Sequence, residues 1–423
     1  MDYKIETLAV HAGQVPDSST LSRAVPVYRT TAYNFKSSKH AADLFALKES
    51  GNIYSRIMNP TNDILEKRLC ALEGGAGALA LSSGTAAIAF SILNILKAGD
   101  ELVSARNLYG GTYTLFDAIL PQYSITARFT DVNDFSAVEK SINEHTRALY
   151  IEAVGNPSLD VADIEGYAKI ARSHNIPLIV DSTFTPPPLL RPIDYGADIV
   201  IHSLSKWICG HGTAIGGAVI DAGKFDWSDP KFSLYNEPDK GYHGLRFGRG
   251  LSGTGNPAFI TRLRTVGLRN MGPTLSPDSA WIFLQGLETL PLRMERHCSN
   301  AKAVAEFLKS HPGVEWVRYP GLEGDPSRTE AEKYLGRGCG GVVVFGPKGG
   351  YGKAVEIVDN IPLFSNLANV GDAKSLILHP ASTSHSQLGE RERLSAGVPS
   401  DLIRLSIGIE NKDDIISALD SVL

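Results

Sequence analysis

The chain has 423 residues, 43% of them hydrophobic and 21% charged. Those proportions exclude a disordered chain and suit a globular protein of roughly two to three domains. With 41 Lys+Arg against 46 Asp+Glu the net charge is −5, which argues against a nucleic-acid or anionic-membrane partner, because phosphates demand a basic face.

The four cysteines, Cys70, Cys209, Cys298 and Cys339, are far apart and form no CxxC. A disulfide scaffold and a cysteine zinc site are therefore not expected. The opening MDYKIETLAVHAG lacks the apolar core of a signal peptide, and no run reaches the ~18 apolar residues of a membrane span. A cytoplasmic enzyme is the expectation. Glycine is the unusual feature of the composition: 41 residues, above the usual ~7%. Many fall in pairs such as Gly74-Gly75, Gly110-Gly111 and Gly216-Gly217. Because the pairs are not periodic, they read as turns or anion-binding loops.

Residues 1–60 are polar and interrupted by Pro26, Asn52 and Pro60, which predicts an extended arm with one short helix near 39–49. Regular patterning starts at 61. Residues 61–73 have helical spacing, ALALS (78–82) reads as a strand, and 84–97 reads as a helix. Strands are predicted at ELVSA (101–105), ITARFT (125–130), ALYIEAV (148–154), PLIVDST (177–183), DIVIHS (198–203) and GAVID (217–221). Helical patterns fill 111–121, 134–144 and 160–174. Such alternation predicts βαβ units, an α/β fold with a mostly parallel central sheet, and strands apolar on both faces. Beyond about 275 the texture changes: a long helical stretch (278–310), GVEWVRY, GGVVVFG, a helix near 350–359, a polar segment (366–400), LIRLSIG and a final helix. The expected division is an arm (1–60), a larger domain (61–270) and a smaller C-terminal α+β domain (271–423).

Ligands of open α/β sheets bind outside the carboxyl ends of the strands, so the residues just beyond each strand carry the most information. Ser83-Gly84-Thr85 opens a helix after ALALS; it reads either as an anion site at a helix N-terminus or as a plain N-cap. Asp181 ends an apolar run, either as a working carboxylate or as a cap. Lys206 comes after Ser203-Leu204-Ser205; it is either an ordinary surface lysine or an amine whose pKa apolar surroundings lower for nucleophilic work. An anion cradle, a carboxylate and a lysine on one sheet edge together match the needs of pyridoxal 5′-phosphate. No P-loop, dinucleotide fingerprint or HExxH is present. His379 and His385, flanking PASTS, read as structural or hydrogen-bonding residues.

Seven segments, YSRIMNPT (54–61), LSSGTAAI (81–88), LYGGTY (108–113), VDSTF (180–184), HSLSKW (202–207), HPAST (379–383) and IRLSIGIE (403–410), carry a resemblance over nearly the whole chain. The sequence resembles the cysteine/methionine-metabolism family of pyridoxal-phosphate enzymes, which have the aspartate-aminotransferase-like fold (fold type I). The resemblance implies pyridoxal 5′-phosphate as cofactor and Lys206 as the Schiff-base lysine. It implies Asp181 against the pyridine nitrogen, Tyr109 stacked on the ring and Asn156 near the ring hydroxyl. Ser83, Gly84, Thr85, Ser203 and Ser205 would hold the phosphate, with Tyr54 and Arg56 reaching the site of a neighbouring subunit. Arg404, helped by Asn369, would grip the substrate carboxylate. Lys206, Tyr109, Tyr54 and Asp181 are the catalytic candidates, and no metal is expected.

Family members differ in reaction. Methionine γ-lyases carry a cysteine where this chain has Gly111, whereas γ-synthases share the glycine. Segments 221–260, 276–297 and 367–383 look like those of the sulfhydrylase branch, which exchanges the acetate of O-acetyl-L-homoserine for a sulfur nucleophile in methionine biosynthesis. That branch is the expectation, with a homotetramer built of dimers. A cystathionine γ-synthase, a methionine γ-lyase and a non-catalytic scaffold of the same fold are the alternatives.

Overall fold

A computed structural model describes residues 3–250, 258–386, 389–395 and 397–423. Part of the segment 221–260, residues 251–257, thus lies outside the described residues. Among the described residues, the strands of the first half form one sheet: β1 (Gly77–Leu81), β2 (Glu101–Ala105), β3 (Thr126–Thr130), β4 (Thr146–Glu152), β5 (Leu178–Asp181), β6 (Ile199–Ser203) and β7 (Gly217–Asp221). Their spatial order is β1-β7-β6-β5-β4-β2-β3. Only β7 runs antiparallel to its neighbours. The helix-free segment between β6 and β7 lets the chain turn straight back, whereas parallel neighbours need a crossover.

Both faces of this sheet are apolar, as parallel strands require. Leu149, Ile151, Val180 and Val200 pack with Leu65, Leu69 and Leu72 of helix Pro60–Glu73. Tyr150, Ile179 and Ile201 pack with Ile88, Ile92 and Ile95 of helix Gly84–Ile95 on the other face. The first of these helices is framed by local chemistry. Asn59 caps it by accepting from the Thr61 N–H, Pro60 stands where no intrahelical donor is needed, and Gly74 ends it at φ +73°.

The second sheet comprises β8 (Val314–Arg318), β9 (Val342–Pro347), β10 (Ser365–Asn366), β11 (Leu376–Leu378) and β12 (Ile403–Ser406), in the order β10-β11-β12-β9-β8. Helices Leu290–Ser310, Gly350–Asn360 and Lys412–Asp420 cover it through Val304, Leu308, Ile357, Ile415 and Leu419. Strands β10 and β11 lie at or within the stretch read as polar; at two and three residues they are too short to show alternation. The helical stretch expected over 278–310 is two helices, Pro277–Glu288 and Leu290–Ser310, parted at Thr289. Pro291 lacks an N–H and cannot sit inside a continuous helix. Residues 3–60 carry helices Ile5–His11 and Ser38–Phe45 in an otherwise extended path. The first of these is invisible in the sequence pattern because seven residues give barely two turns of periodicity. Among the described residues, no helix is long and apolar enough to cross a membrane.

The two sheets are joined behind β6. Arg293 of helix Leu290–Ser310 is buried and donates to the carbonyls of Trp207 (2.7 Å), Ile208 (3.3 Å) and Gly286 (2.7 Å). It thereby pins the turn that carries Lys206. Replacing it with leucine leaves those carbonyls unpaired, at about 1–3 kcal/mol each. We expect Arg293→Leu to lower the urea midpoint by an amount equivalent to about 3–5 kcal/mol with an unchanged m-value; an unaltered midpoint would show that the pin carries no stability.

Candidate active site

At the carboxyl ends of β4, β5 and β6 lies a cavity of about 650 Å³. Its walls include Ser83, Gly84, Thr85, Tyr109, Asn156, Asp181, Ser203, Ser205, Lys206, Asn369 and Arg404. These are all the candidate site residues of the sequence except Tyr54 and Arg56. A larger open groove of about 830 Å³ runs between helices Leu290–Ser310 and Lys412–Asp420, but its buried cation, Arg293, is spent on backbone carbonyls.

Lys206 sits three residues beyond the end of β6 and is partly buried. Its Nζ donates to Asn369 Oδ1 at 2.6 Å. Burial disfavours the ammonium and the nearby Arg404 charge opposes it further, so its pKa falls from 10.5 to about 8. The amine is thus available as a free base near neutrality.

Asp181 is the last residue of β5. Its Oδ1 accepts from the Thr183 N–H at 2.9 Å, and its Oδ2 accepts from the Tyr150 hydroxyl at 3.4 Å. Burial pushes its carboxyl above the ordinary range, and the bonds to Thr183 pull it back.

The opposite pole of the cavity is built for an anion. Ser83 Oγ accepts from the Ala86 N–H at 3.0 Å, so it is both the N-cap of helix Gly84–Ile95 and part of the cavity wall. The Gly84 and Thr85 N–H groups fall in the first turn, where no intrahelical carbonyl reaches. A Cβ on Gly84 would stand 2.6 Å from Ser203 Cβ; the glycine lets the helix start close against the end of β6. Ser205 Oγ accepts from the Gly216 N–H at 3.0 Å.

Arg404 comes from β12 of the second sheet and is buried. It donates through Nη1 to Asn156 Oδ1 at 2.9 Å and through Nη2 to the Asn369 carbonyl at 3.2 Å. Burial lowers its pKa to about 10, leaving it charged. The Tyr109 ring is half exposed over the cavity mouth, and its backbone N–H donates to Glu152 Oε1 at 2.7 Å. A Cβ on Gly111 would lie 2.5 Å from Tyr109 Cε1, so this ring position depends on the missing side chain.

Tyr54 and Arg56 lie away from this cavity. Both are exposed, the guanidinium sits 5.3 Å from the Tyr54 ring centroid, and Arg56 donates to the Arg269 carbonyl. Four polar side chains of the cavity wall are absent from the site candidates of the sequence: Glu152, Thr183, Ser384 and His385. Glu152 ends an apolar run as Asp181 does, so the signal that marks Asp181 marks it too. Thr183 lies within VDSTF, and its Oγ1 accepts from the Ser203 N–H at 2.8 Å, a contact that the sequence does not announce. His385 lines the cavity; burial and Arg404 depress its pKa to about 4, and its Nδ1 pairs with Ser384 Oγ at 2.9 Å. His379 instead bonds Ser382 Oγ and the Ser400 carbonyl, both at 2.8 Å. Among the described residues, no three His, Cys, Asp or Glu side chains gather as a metal site.

A deprotonatable amine, a buried carboxyl and an anion-ready helix start, in one cavity of this size, fit pyridoxal 5′-phosphate. A family model described as "Cys/Met metabolism PLP-dependent enzyme" matches residues 6–423. An O-acetyl-L-homoserine sulfhydrylase of Leptospira meyeri is 52% identical, over 100% of this chain and 97% of its own. A homocysteine synthase of Schizosaccharomyces pombe is 51% identical, over 97% and 96%. A Campylobacter jejuni crystal structure, described as a candidate O-acetylhomoserine (thiol)-lyase holding a pyridoxyl-lysine phosphate, superposes with a TM-score of 0.96 at 42% identity, covering 99% of both chains. The matched span and the shared fold agree: this chain belongs to the Cys/Met-metabolism family of pyridoxal-phosphate-dependent enzymes.

Proposed function

We propose that the protein is an O-acetyl-L-homoserine sulfhydrylase, exchanging acetate for a sulfur nucleophile to give L-homocysteine, a step of methionine biosynthesis. The observation that carries this choice within the family is the cavity's charge inventory. Beyond Lys206, Arg404 is the one permanently cationic side chain among the described lining residues. One guanidinium fork serves one amino-acid carboxylate. The remaining wall, with Ala214, Ile215, Val370 and Leu378, offers no second fork for a nucleophile that is itself an amino acid. A small sulfur donor suits it. The relatives' names support the same reading.

Bound here, pyridoxal phosphate supplies an electron sink for charge developing on the substrate's carbon chain. The chain's own residues do the rest. Gly84 and Thr85 N–H groups, with Ser83, Ser203 and Ser205, would hold the phosphate. Asp181 would hold the proton on the pyridine nitrogen. Tyr109 would cover the ring, and Asn156 would serve its hydroxyl. Arg404 and Asn369 orient the substrate carboxylate. The Lys206 amine takes the α-proton and returns protons along the chain, so that acetate departs from the γ-carbon and sulfur takes its place. Tyr54 and Arg56, exposed and remote from their own cavity, serve the site of a second copy in a dimer, and two dimers form a tetramer. The reaction takes place in the cytoplasm. The divisions 1–60, 61–270 and 271–423 then correspond to the arm, the cofactor domain and the domain that delivers Arg404.

A substrate panel tests the reading. Acetylhomoserine with sulfide should give homocysteine at a rate well above that with cysteine, or with succinyl- or phosphohomoserine; cystathionine as the main product would reassign the enzyme. Lys206→Ala should abolish turnover and the visible band of the bound cofactor, and an active K206A variant would sink the assignment. Arg404→Ala should raise the KM for the amino-acid substrate by roughly two orders of magnitude, the scale of a charged two-bond contact, in initial-rate kinetics. The free amine is the form that captures the cofactor. The association rate of apoenzyme with pyridoxal phosphate should therefore rise with pH through about 8 and then level. In Arg404→Gln the rise should move to higher pH, because the charge that opposes the ammonium is gone. Stopped-flow absorbance reads both.

A further inference from the structure

Glu152 and Asp181 are register partners on the adjacent parallel strands β4 and β5, about 4.8 Å apart along the hydrogen-bonding direction. Alternation along β4 puts Glu152 on the face of Tyr150, whose hydroxyl reaches Asp181. The two carboxyl groups thus stand side by side, both buried and both in the cavity wall. Their partners are unequal. Asp181 accepts from the Thr183 N–H and the Tyr150 hydroxyl, and His202 on β6 acts on it electrostatically. His202 is itself held by buried Glu73 at 2.5 Å. Among the described residues Glu152 has one bond, from the Tyr109 N–H to Oε1. No cation among the described residues pairs with it, and its charged neighbour is Asp181. Two like charges this close in a site of low dielectric do not both persist. The proton belongs with the carboxyl that has fewer donors.

We propose that Glu152 is the protonated member of this pair, a positioning residue that fixes the Tyr109 backbone and leaves Asp181 as the cavity's single carboxylate. The consequence is functional. One negative charge, at Asp181, would face the pyridine nitrogen of the bound cofactor, and Tyr109 is held by an acceptor that adds no charge. This rests on the reading of the Lys206 cavity as the cofactor site.

A neutral isostere tests it. For wild type, E152Q and E152A, two quantities are measured: the dissociation constant of pyridoxal phosphate from reconstituted apoenzyme, and the pH midpoint of its visible band. E152Q keeps the acceptor and the neutral charge, and should leave both unchanged. E152A removes the acceptor of the Tyr109 N–H and should weaken cofactor binding about tenfold, the scale of a lost buried bond. An E152Q midpoint displaced by about one unit or more would mean that wild-type Glu152 is ionised, and the proposal falls; an E152A variant that binds like wild type overturns it as well. Far-UV circular dichroism checks the fold, and if E152A does not fold, the E152Q midpoint decides. Wild-type protein that takes up no cofactor would instead overturn the reading of the cavity itself.

Discussion

The site depends on weakening the hold of one lysine amine on its proton, beside a fixed positive charge. Lys206 and Arg404 come from different sheets, and Asn369 couples them: its side-chain oxygen accepts from Lys206 and its carbonyl accepts from Arg404. Arg404 in turn holds Asn156 at the end of the first sheet. Arg404 therefore does two jobs at once. It offers a fork for a carboxylate, and its field adds to burial in lowering the pKa of the neighbouring amine. Neither sheet could build this alone, so the docking of the two sheets is a chemical requirement as well as a matter of stability.

That docking leaves little slack around the lysine. Behind it, Arg293 ties down the carbonyls of Trp207 and Ile208. In front, Gly371 adopts φ +80°, and a Cβ there would come within 2.6 Å of the Trp207 nitrogen. The turn after β6 is thus clamped between a buried cation and a backbone that only glycine permits. An amine held by its neighbours in this way loses little entropy when it engages a ligand.

The first sheet is legible in the sequence because its inner strands are buried, unlike the part-exposed edge strand β3, and burial on both faces writes a largely apolar run. ELVSA and GAVID coincide with β2 and β7 to the residue. The second sheet is harder to read. Strands β10 and β11 owe their existence to pairing with β12 and with each other rather than to any pattern of their own. At the site, Asp181 and Lys206 are readable because a charged group after an apolar strand demands a reason. Glu152 meets the same criterion, yet no motif of the resemblance singles it out. Thr183 lies within VDSTF, yet its bond to the Ser203 N–H, like the place of His385 in the cavity wall, depends on contacts formed only on folding.

The glycine excess shows how composition becomes chemistry only through position. Gly84 lets a helix N-terminus meet the end of β6, whereas a Cβ on Gly217 would lie 2.1 Å from the Ser83 carbonyl oxygen. The second glycine thus supports the first: β7 must pass bare beneath the very residue that caps the anion pole. Gly111 acts differently, because what it makes room for is a side chain, the Tyr109 ring. A single missing side chain at the cavity mouth therefore sets where the Tyr109 ring lies, and two missing side chains below set how closely the helix start meets the ends of β6 and β7.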